Sequence, residues 1–276
     1  MLSENCSQKF IKVSSQLRIS TDLRDALKNS KIDVYYQPKI QVQTGQIIGF
    51  EALARWVHPS LGNIPPEVFI RIAEQTGQIK ELTSFVLQSV ATQQQAWSDL
   101  GLSFPISINV SAAVFLEPLF VESFLQFFKT HHLSPNCYDL EITETAFVAF
   151  PERLTEAIRL IRSSGFRIYI DDFGVGFSSF SRLSSLPVDG LKIDKTFLRN
   201  AHQHRNAFLV LESIISLSKK LRIESVMEGV ETEQDLLFLQ TIGCDAAQGF
   251  LISAPMDSGE AVRWLQRRKN LSWHSI

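Results

Sequence analysis

Short β-branched apolar runs alternate along this chain with longer stretches in which apolar residues recur every three or four positions. After a polar, weakly patterned arm over residues 1–20, Ser20-Thr21-Asp22 offers N-cap chemistry for a short helix from Leu23 to Lys28. Val34 to Ile40 reads as a strand that Pro38 confines to an edge or an end. Thr44-Gly45 is a tight turn and Gln46 to Ala54 a second strand, so the first pairing is expected to be an antiparallel hairpin. Pro65-Pro66 opens a helix carrying Val68, Phe69, Ile72 and Ala73, and another runs from Lys80 to Asp99, closed by Gly101. Strands are then predicted at Ile106 to Val110, Tyr138 to Ile142, Arg167 to Ile170, Gly190 to Ile193, Ile223 to Met227 and Ala246 to Phe250. Helices are predicted between and after them, at Leu119 to His131, Pro151 to Ser163, Ser179 to Leu186, Ala201 to Lys220, Thr232 to Ile242 and Ser258 to Arg268.

Near eight strand–helix pairs in about 250 residues predict an α/β fold of the TIM-type (β/α)8 class rather than an open doubly wound sheet. No Gly-x-Gly-x-x-Gly follows the first strand, which removes the main sign of a dinucleotide-binding sheet. The opening hairpin departs from an all-parallel barrel. No linker interrupts residues 21–270, which read as one domain with a tail at 271–276.

Bulk composition narrows the picture little. An apolar share of 45% supports a sizeable core, and a formal net charge of -2 argues against generic nucleic-acid binding. Cys6, Cys137 and Cys244 lie far apart and are expected to be free thiols in a reducing compartment. The first residues lack the apolar core of a signal peptide and no run of about 18 apolar residues occurs, so a cytoplasmic protein without a membrane span is expected.

The informative residues are the polar ones at strand ends. Glu51 lies between Phe50 and Ala52, Asn109 near the end of Ile106-Ser107-Ile108-Asn109-Val110, and Glu141 in Leu140-Glu141-Ile142. Asp171 and Asp172 end the next strand, Lys192 sits in Leu191-Lys192-Ile193-Asp194, Glu228 follows Val226-Met227, and Gln248 precedes Gly249-Phe250. Any one of these suits a salt bridge or a solvated strand end. Seven strands delivering such a group at the same end do not, because in a barrel those ends converge on the face where sites are built. Carboxylate and amide oxygens suit hard divalent cations, and His58, near Glu51, is expected to be a loop or helix-lead residue rather than a ligand. Several acids with one lysine point to two-metal phosphoryl chemistry with ions about 3.5–4 Å apart. Glycoside hydrolysis needs two carboxylates and favours aromatic platforms; the Asn, the Lys and the number of acids argue against it, and these strand ends carry few aromatics.

In these residues the chain resembles the EAL domain family of cyclic di-GMP phosphodiesterases. Tyr36-Gln37-Pro38, Glu51-Ala52-Leu53-Ala54-Arg55-Trp56, Asn109-Val110-Ser111, Glu141-Ile142-Thr143-Glu144, Asp171-Asp172-Phe173-Gly174, Leu191-Lys192-Ile193-Asp194, Glu228-Gly229-Val230-Glu231-Thr232 and Gln248-Gly249-Phe250 follow in the family order over about residues 20 to 260. The resemblance implies a modified (β/α)8 barrel with one antiparallel strand. It further implies hydrolysis of cyclic di-GMP to linear pGpG with two Mg²⁺ or Mn²⁺ ions and inhibition by Ca²⁺. By the same pattern Glu51, Asn109, Glu141 and Asp171 would hold one ion, and Asp171, Asp172 and Glu228 the other. Lys192, Glu228 and Gln248 would carry catalysis: Lys192 polarises water, Glu228 accepts its proton, and Gln248 orients water together with Glu231. Gln37, Glu51, Leu53, Arg55, Asp194 and Glu231 would meet substrate, Arg55 through a phosphate contact.

The resemblance also assigns loop control to Glu144, Gly174, Val175, Gly176 and Phe177. Here Val175 and Phe177 stand where the family usually has Thr and Tyr, Phe180 replaces Leu, and Met227 replaces a small residue. No metal ligand is lost, which favours an active enzyme over a degenerate member that only binds the nucleotide or a protein. Family members commonly dimerise through helices beyond Asp171-Asp172 and Lys192, and Ala201 to Lys220 carries the apolar residues for a homodimer. A sensor or regulatory partner is expected, though no sensor segment is visible in the sequence.

Overall fold

The computed structural model describes residues 18–115, 117, 119–149, 151–174, 183 and 186–269. The expected arm up to residue 17, the tail from 271, most of the helix at Ser179 to Leu186, and the loop positions Val175, Gly176 and Phe177 lie outside the described residues.

Residues 18–28 are helical and lead into β1 (Ile32–Gln41), which pairs antiparallel with β2 (Ile47–His58). The other strands are β3 (Gly62–Ile64), β4 (Ile106–Asn109), β5 (Tyr138–Thr143), β6 (Arg167–Phe173), β7 (Gly190–Ile193), β8 (Glu224–Met227) and β9 (Ala246–Ala247). The order β1-β9-β8-β7-β6-β5-β4-β2, with β1 returning to β2, closes an eight-stranded barrel, and β3 is an outrigger on β2. Only β1 runs antiparallel to its barrel neighbours, so the antiparallel element expected from the hairpin is built into the wall. Pro38 sits inside β1 opposite Phe50; that strand meets β9 only at Ile40 and Gln41, so the missing N–H breaks no ladder there.

Alternate residues of the parallel strands build the main core. Ile106, Ile108, Leu140, Ile142, Ile168, Ile170, Leu191 and Ile193 are buried against the surrounding helices. An aromatic cluster of Phe124, Phe128, Tyr138 and Phe166 packs with ring centroids 4.7–5.1 Å apart.

Several elements differ from the sequence expectation; the leading helix is already helical at residue 18, so Ser20, Thr21 and Asp22 lie within it and do not cap it. The predicted helix from Ala201 to Lys220 is two helices, Lys195–Gln203 and Arg205–Leu221, broken at an extended His204. The first starts earlier than expected because Asp194 caps it, accepting the Thr196 N–H at 2.9 Å. The last strand stops at Ala247, since Gly249 and Phe250 turn away while Gln248 N–H still reaches the Met227 carbonyl. His58 ends β2 instead of lying in a loop: its Nδ1 accepts the Ser60 and Leu61 N–H groups, and its Nε2 contacts Asp22 at 3.0 Å, tying the leading helix to the barrel.

Tyr169 points into the barrel and packs over Gly190 of the neighbouring strand. A Cβ at position 190 would lie 2.4 Å from the Tyr169 ring and 2.9 Å from the Glu224 carbonyl oxygen. Gly190→Ala is therefore expected to cost about 1–3 kcal/mol through overpacking; denaturant unfolding measures it, and an unchanged midpoint would contradict this packing.

Candidate active site

The parallel strands end on one face, and β6 delivers two carboxylates there by an irregularity. Between Ile170 and Phe173 it advances three residues while β7 advances two, from Leu191 to Ile193. This bulge sets Asp171 and Asp172 together beside Lys192, where an unbroken strand would turn them to opposite faces. Asp172 takes a left-handed conformation (φ +52°), which aspartate tolerates better than most residues. β6 therefore runs through the Asp pair to Phe173 and does not end before it, as the sequence had suggested.

Lys192 is the hub of the cluster. Its side chain is 1% exposed, and Nζ lies 2.7 Å from Glu141 Oε2, 2.7 Å from Glu228 Oε1, 3.0 Å from Asp171 Oδ1 and 3.3 Å from Glu51 Oε2. One ammonium thus faces four carboxylates from β2, β5, β6 and the end of β8. Asn109 Nδ2 donates to Glu51 Oε1 at 2.7 Å, and Gln248 Nε2 donates to Glu51 Oε2 at 2.7 Å and to Gln37 Oε1 at 2.8 Å.

The acids are not equivalent. Burial works against ionised Glu51, but Lys192 and the hydrogen bonds from Asn109 and Gln248 outweigh it and bring its pKa to about 2. Burial and the neighbouring Glu51 charge push Glu141 up to about 8. Burial also pushes Glu228 up to about 7, with Asp171 adding to the shift and Lys192 opposing it. Asp172 is raised by burial and by Asp171 beside it. Lys192 stays cationic against its burial because Asp171, Glu141, Glu228 and Glu51 surround it.

Such a cluster has the donors of a hard-cation site. Carboxylate oxygens of Asp171, Asp172 and Glu228 lie within 4.8 Å of one another. Gln248 Oε1 is a buried acceptor without a hydrogen-bond partner among the described residues. Glu51, Asn109, Glu141 and Asp171 form a second oxygen-rich group, joined to the first through Asp171 and Lys192. An all-oxygen set of this kind suits Mg²⁺-like ions and not soft metals.

The cluster floors a cleft of about 710 Å³ walled by Leu53, Arg55, Ile70, Glu74, Leu82 and Ser111 among others. Leu53 and Arg55 thus face the opening. Gln37 is buried behind Gln248 and donates to the Ser253 carbonyl at 3.0 Å. Two expected substrate residues are engaged elsewhere: Asp194 caps its helix, and Glu231 pairs with Arg199 at 3.0 Å. Glu144 Oε2 accepts the Gly174 N–H at 2.7 Å, bracing the segment after the Asp pair. Gly174 has φ +96°, and a Cβ there would come within 2.3 Å of Phe197.

The sequence reading passed over one member of this neighbourhood. Lys39 on β1 reaches Glu141 Oε1 from the opposite side to Lys192, at 3.4 Å. Its place two residues after Gln37, on the same face of β1, was the available signal.

Comparison with known proteins places the chain. A family model described as the EAL domain matches residues 20–255. The chain is 36% identical over 248 residues to the bifunctional diguanylate cyclase/cyclic di-GMP phosphodiesterase MucR of Pseudomonas aeruginosa, a match covering 90% of this chain and 36% of that protein. It is 32% identical over 256 residues to the cyclic di-GMP phosphodiesterase PdeR of Escherichia coli, covering 93% and 39%. It spans about a third to two fifths of the length of the curated relatives it matches. The solved structure of the PaMucR phosphodiesterase in complex with c-di-GMP matches with a TM-score of 0.84 at 35% identity, covering 88% of this chain and 99% of that one. An EAL domain protein from Listeria monocytogenes matches with a TM-score of 0.77 at 30% identity, covering 91% and 98%. Barrel topology, the acidic mouth and these likenesses agree: the chain belongs to the EAL domain family.

Proposed function

We propose that this chain hydrolyses cyclic di-GMP to linear pGpG as a two-metal phosphodiesterase. The gathering of Glu51, Glu141, Asp171 and Glu228 around buried Lys192, with Asp172 near Asp171 and Glu228, carries the reading, since five carboxylates exceed what Lys192 and Lys39 balance. Glu51, Asn109, Glu141 and Asp171 would hold one Mg²⁺ or Mn²⁺ ion, and Asp171, Asp172 and Glu228 the other. Bound there, the ions would supply a water of lowered pKa and charge for the phosphoryl oxygens.

The chain's own groups support the remaining roles. Lys192 lies within 3.0 Å of Asp171 and Glu228 and offers a fixed positive charge to water or phosphate. Glu228, raised to about 7, falls where a carboxylate can take up a proton near neutral pH. Gln248 keeps one buried oxygen without a donor, suited to a bound water. Arg55, on the cleft wall, presents a planar fork of donors to a phosphate diester. Glu231 and Asp194 each use one oxygen in their present contacts, to Arg199 and to the Thr196 N–H, which leaves the other for substrate. A homodimer would use the exposed Leu209 and Val210, because Leu211, Ile214 and Ile215 of the same helix are already core. No helix of the described residues is long and apolar enough to cross a membrane. A reading as a non-hydrolysing nucleotide receptor finds no lost carboxylate to support it.

Purified protein incubated with cyclic di-GMP and Mg²⁺ is expected to yield pGpG; intact nucleotide binding without product would overturn the enzyme reading. Glu51→Ala should lower turnover by more than the 10–100-fold typical of groups behind a metal ligand. Its circular dichroism should stay that of the folded barrel, and near wild-type turnover would sink the ligand assignment. Protons held by Glu141 and Glu228 up to about 8 and 7 must leave when a cation binds. Mn²⁺ affinity measured by calorimetry should therefore rise from pH 6 to pH 8, and a flat profile would contradict this linkage.

A further inference from the structure

Beneath the carboxylates the barrel interior holds a second, unexpected set of charges. The Lys39 side chain is 4% exposed, and its Nζ donates to Ser107 Oγ, lies 3.4 Å from Glu141 Oε1 and 3.8 Å from Asp139 Oδ2, and sits 5.3 Å above the centre of the Tyr169 ring. Below it, Arg167 donates to both oxygens of Asp139, at 2.8 and 2.9 Å, and lies 3.7 Å from Glu224, which accepts the Tyr169 hydroxyl. Lys192, Glu141, Lys39, Asp139, Arg167 and Glu224 thus alternate in sign from the mouth to the floor.

The two lysines are not redundant. Lys192 is shared among four carboxylates at the mouth. Among the described residues Lys39 has two carboxylates within 4 Å: Asp139, which Arg167 already grips with two bonds, and Glu141, whose other oxygen Lys192 holds at 2.7 Å, so Lys39 is the cation that meets Glu141 Oε1. Glu141 Oε1 is therefore held from below while Oε2 faces the mouth. Groups that fix a ligating carboxylate from behind set metal affinity almost as strongly as the ligand itself.

We infer that Lys39 is a positioning residue for cation binding: it anchors Glu141 from inside the barrel so that its outer oxygen is presented to the mouth. The inference rests on the proposed cation site at that mouth. Lys39 is buried, and Glu141 is the mouth carboxylate it contacts, so it acts on the cation site through Glu141.

Mn²⁺ titration by calorimetry, with thermal melts in chelator, tests it on wild type, Lys39→Met and the double variant Lys39→Met/Asp139→Asn. The double variant removes one charge of each sign, so the interior keeps its balance if the single change fails to fold. Wild type should bind Mn²⁺, and either folded variant should bind it about 10–100-fold more weakly. The Mn²⁺ concentration for half-maximal turnover should rise in parallel, while KM for cyclic di-GMP at saturating Mn²⁺ stays unchanged. A lower melting temperature with unchanged Mn²⁺ affinity would make Lys39 merely structural and overturn the inference. Tighter binding would overturn it too, because the lysine would then act as a repelling charge. A wild type that binds no Mn²⁺ would instead strike the cation site itself.

Discussion

A buried ammonium among four carboxylates is the interaction on which the rest of this structure turns. Taking one unpaired charge out of water costs several kcal/mol, so Lys192 and its partners are tolerable only together. Even so the balance is poor, with five acids near one another and Lys192 and Lys39 as the cations inside the barrel that reach them. The strain shows in the proton affinities: Glu51, served by Lys192 and two amides, stays ionised, while Glu141 and Glu228 are driven up. A buried cluster whose neighbouring acids drive protons onto Glu141 and Glu228 is one that a divalent cation stabilises.

The barrel separates two jobs between the faces of its strands. Outward residues such as Ile108, Leu140, Ile170 and Leu191 are apolar and pack on helices. Inward residues at the next positions are largely polar: Ser107 and Asn109, Asp139 and Glu141, Tyr169 and Asp171, Gly190 and Lys192. TIM-type barrels generally fill this space with branched apolar side chains. Here a column of paired charges fills it, which fixes the mouth carboxylates from below at the cost of buried polarity. Small residues make the room: Gly190 admits the Tyr169 ring, and a Cβ at Gly49 would lie 3.7 Å from the Lys39 stem and 2.9 Å from the Pro105 carbonyl oxygen.

Much of this was legible in the residues. The opening hairpin, the eight-fold alternation and the acids at strand ends follow from local patterning, and the antiparallel β1 was readable from the Thr44-Gly45 turn. The break at His204 was not, because the apolar residues on both sides keep helical spacing and only the Asp194 cap marks the earlier start. The bulge at Asp171-Asp172 was invisible for a similar reason: a register shift belongs to a pair of strands, and one strand's sequence does not contain it. Lys39 was missed because a lone lysine in a strand reads as an edge residue. Read at period two beside Gln37, and with Ser107 and Asp139 two residues before Asn109 and Glu141, it falls on the inward face. Motif order gave Glu231 and Asp194 substrate roles, and local geometry adds what a sequence does not contain, the ion pair and the helix cap that these side chains make in the free chain.

The central claim is that this acidic mouth is a two-cation site whose charge Lys192 only partly balances. Anomalous diffraction from crystals grown with Mn²⁺ tests it most directly. The account predicts two anomalous peaks per chain, one among Glu51, Asn109, Glu141 and Asp171 and one among Asp171, Asp172 and Glu228. Absence of both peaks at saturating Mn²⁺, with Lys192 still bridging the same four carboxylates, would contradict it.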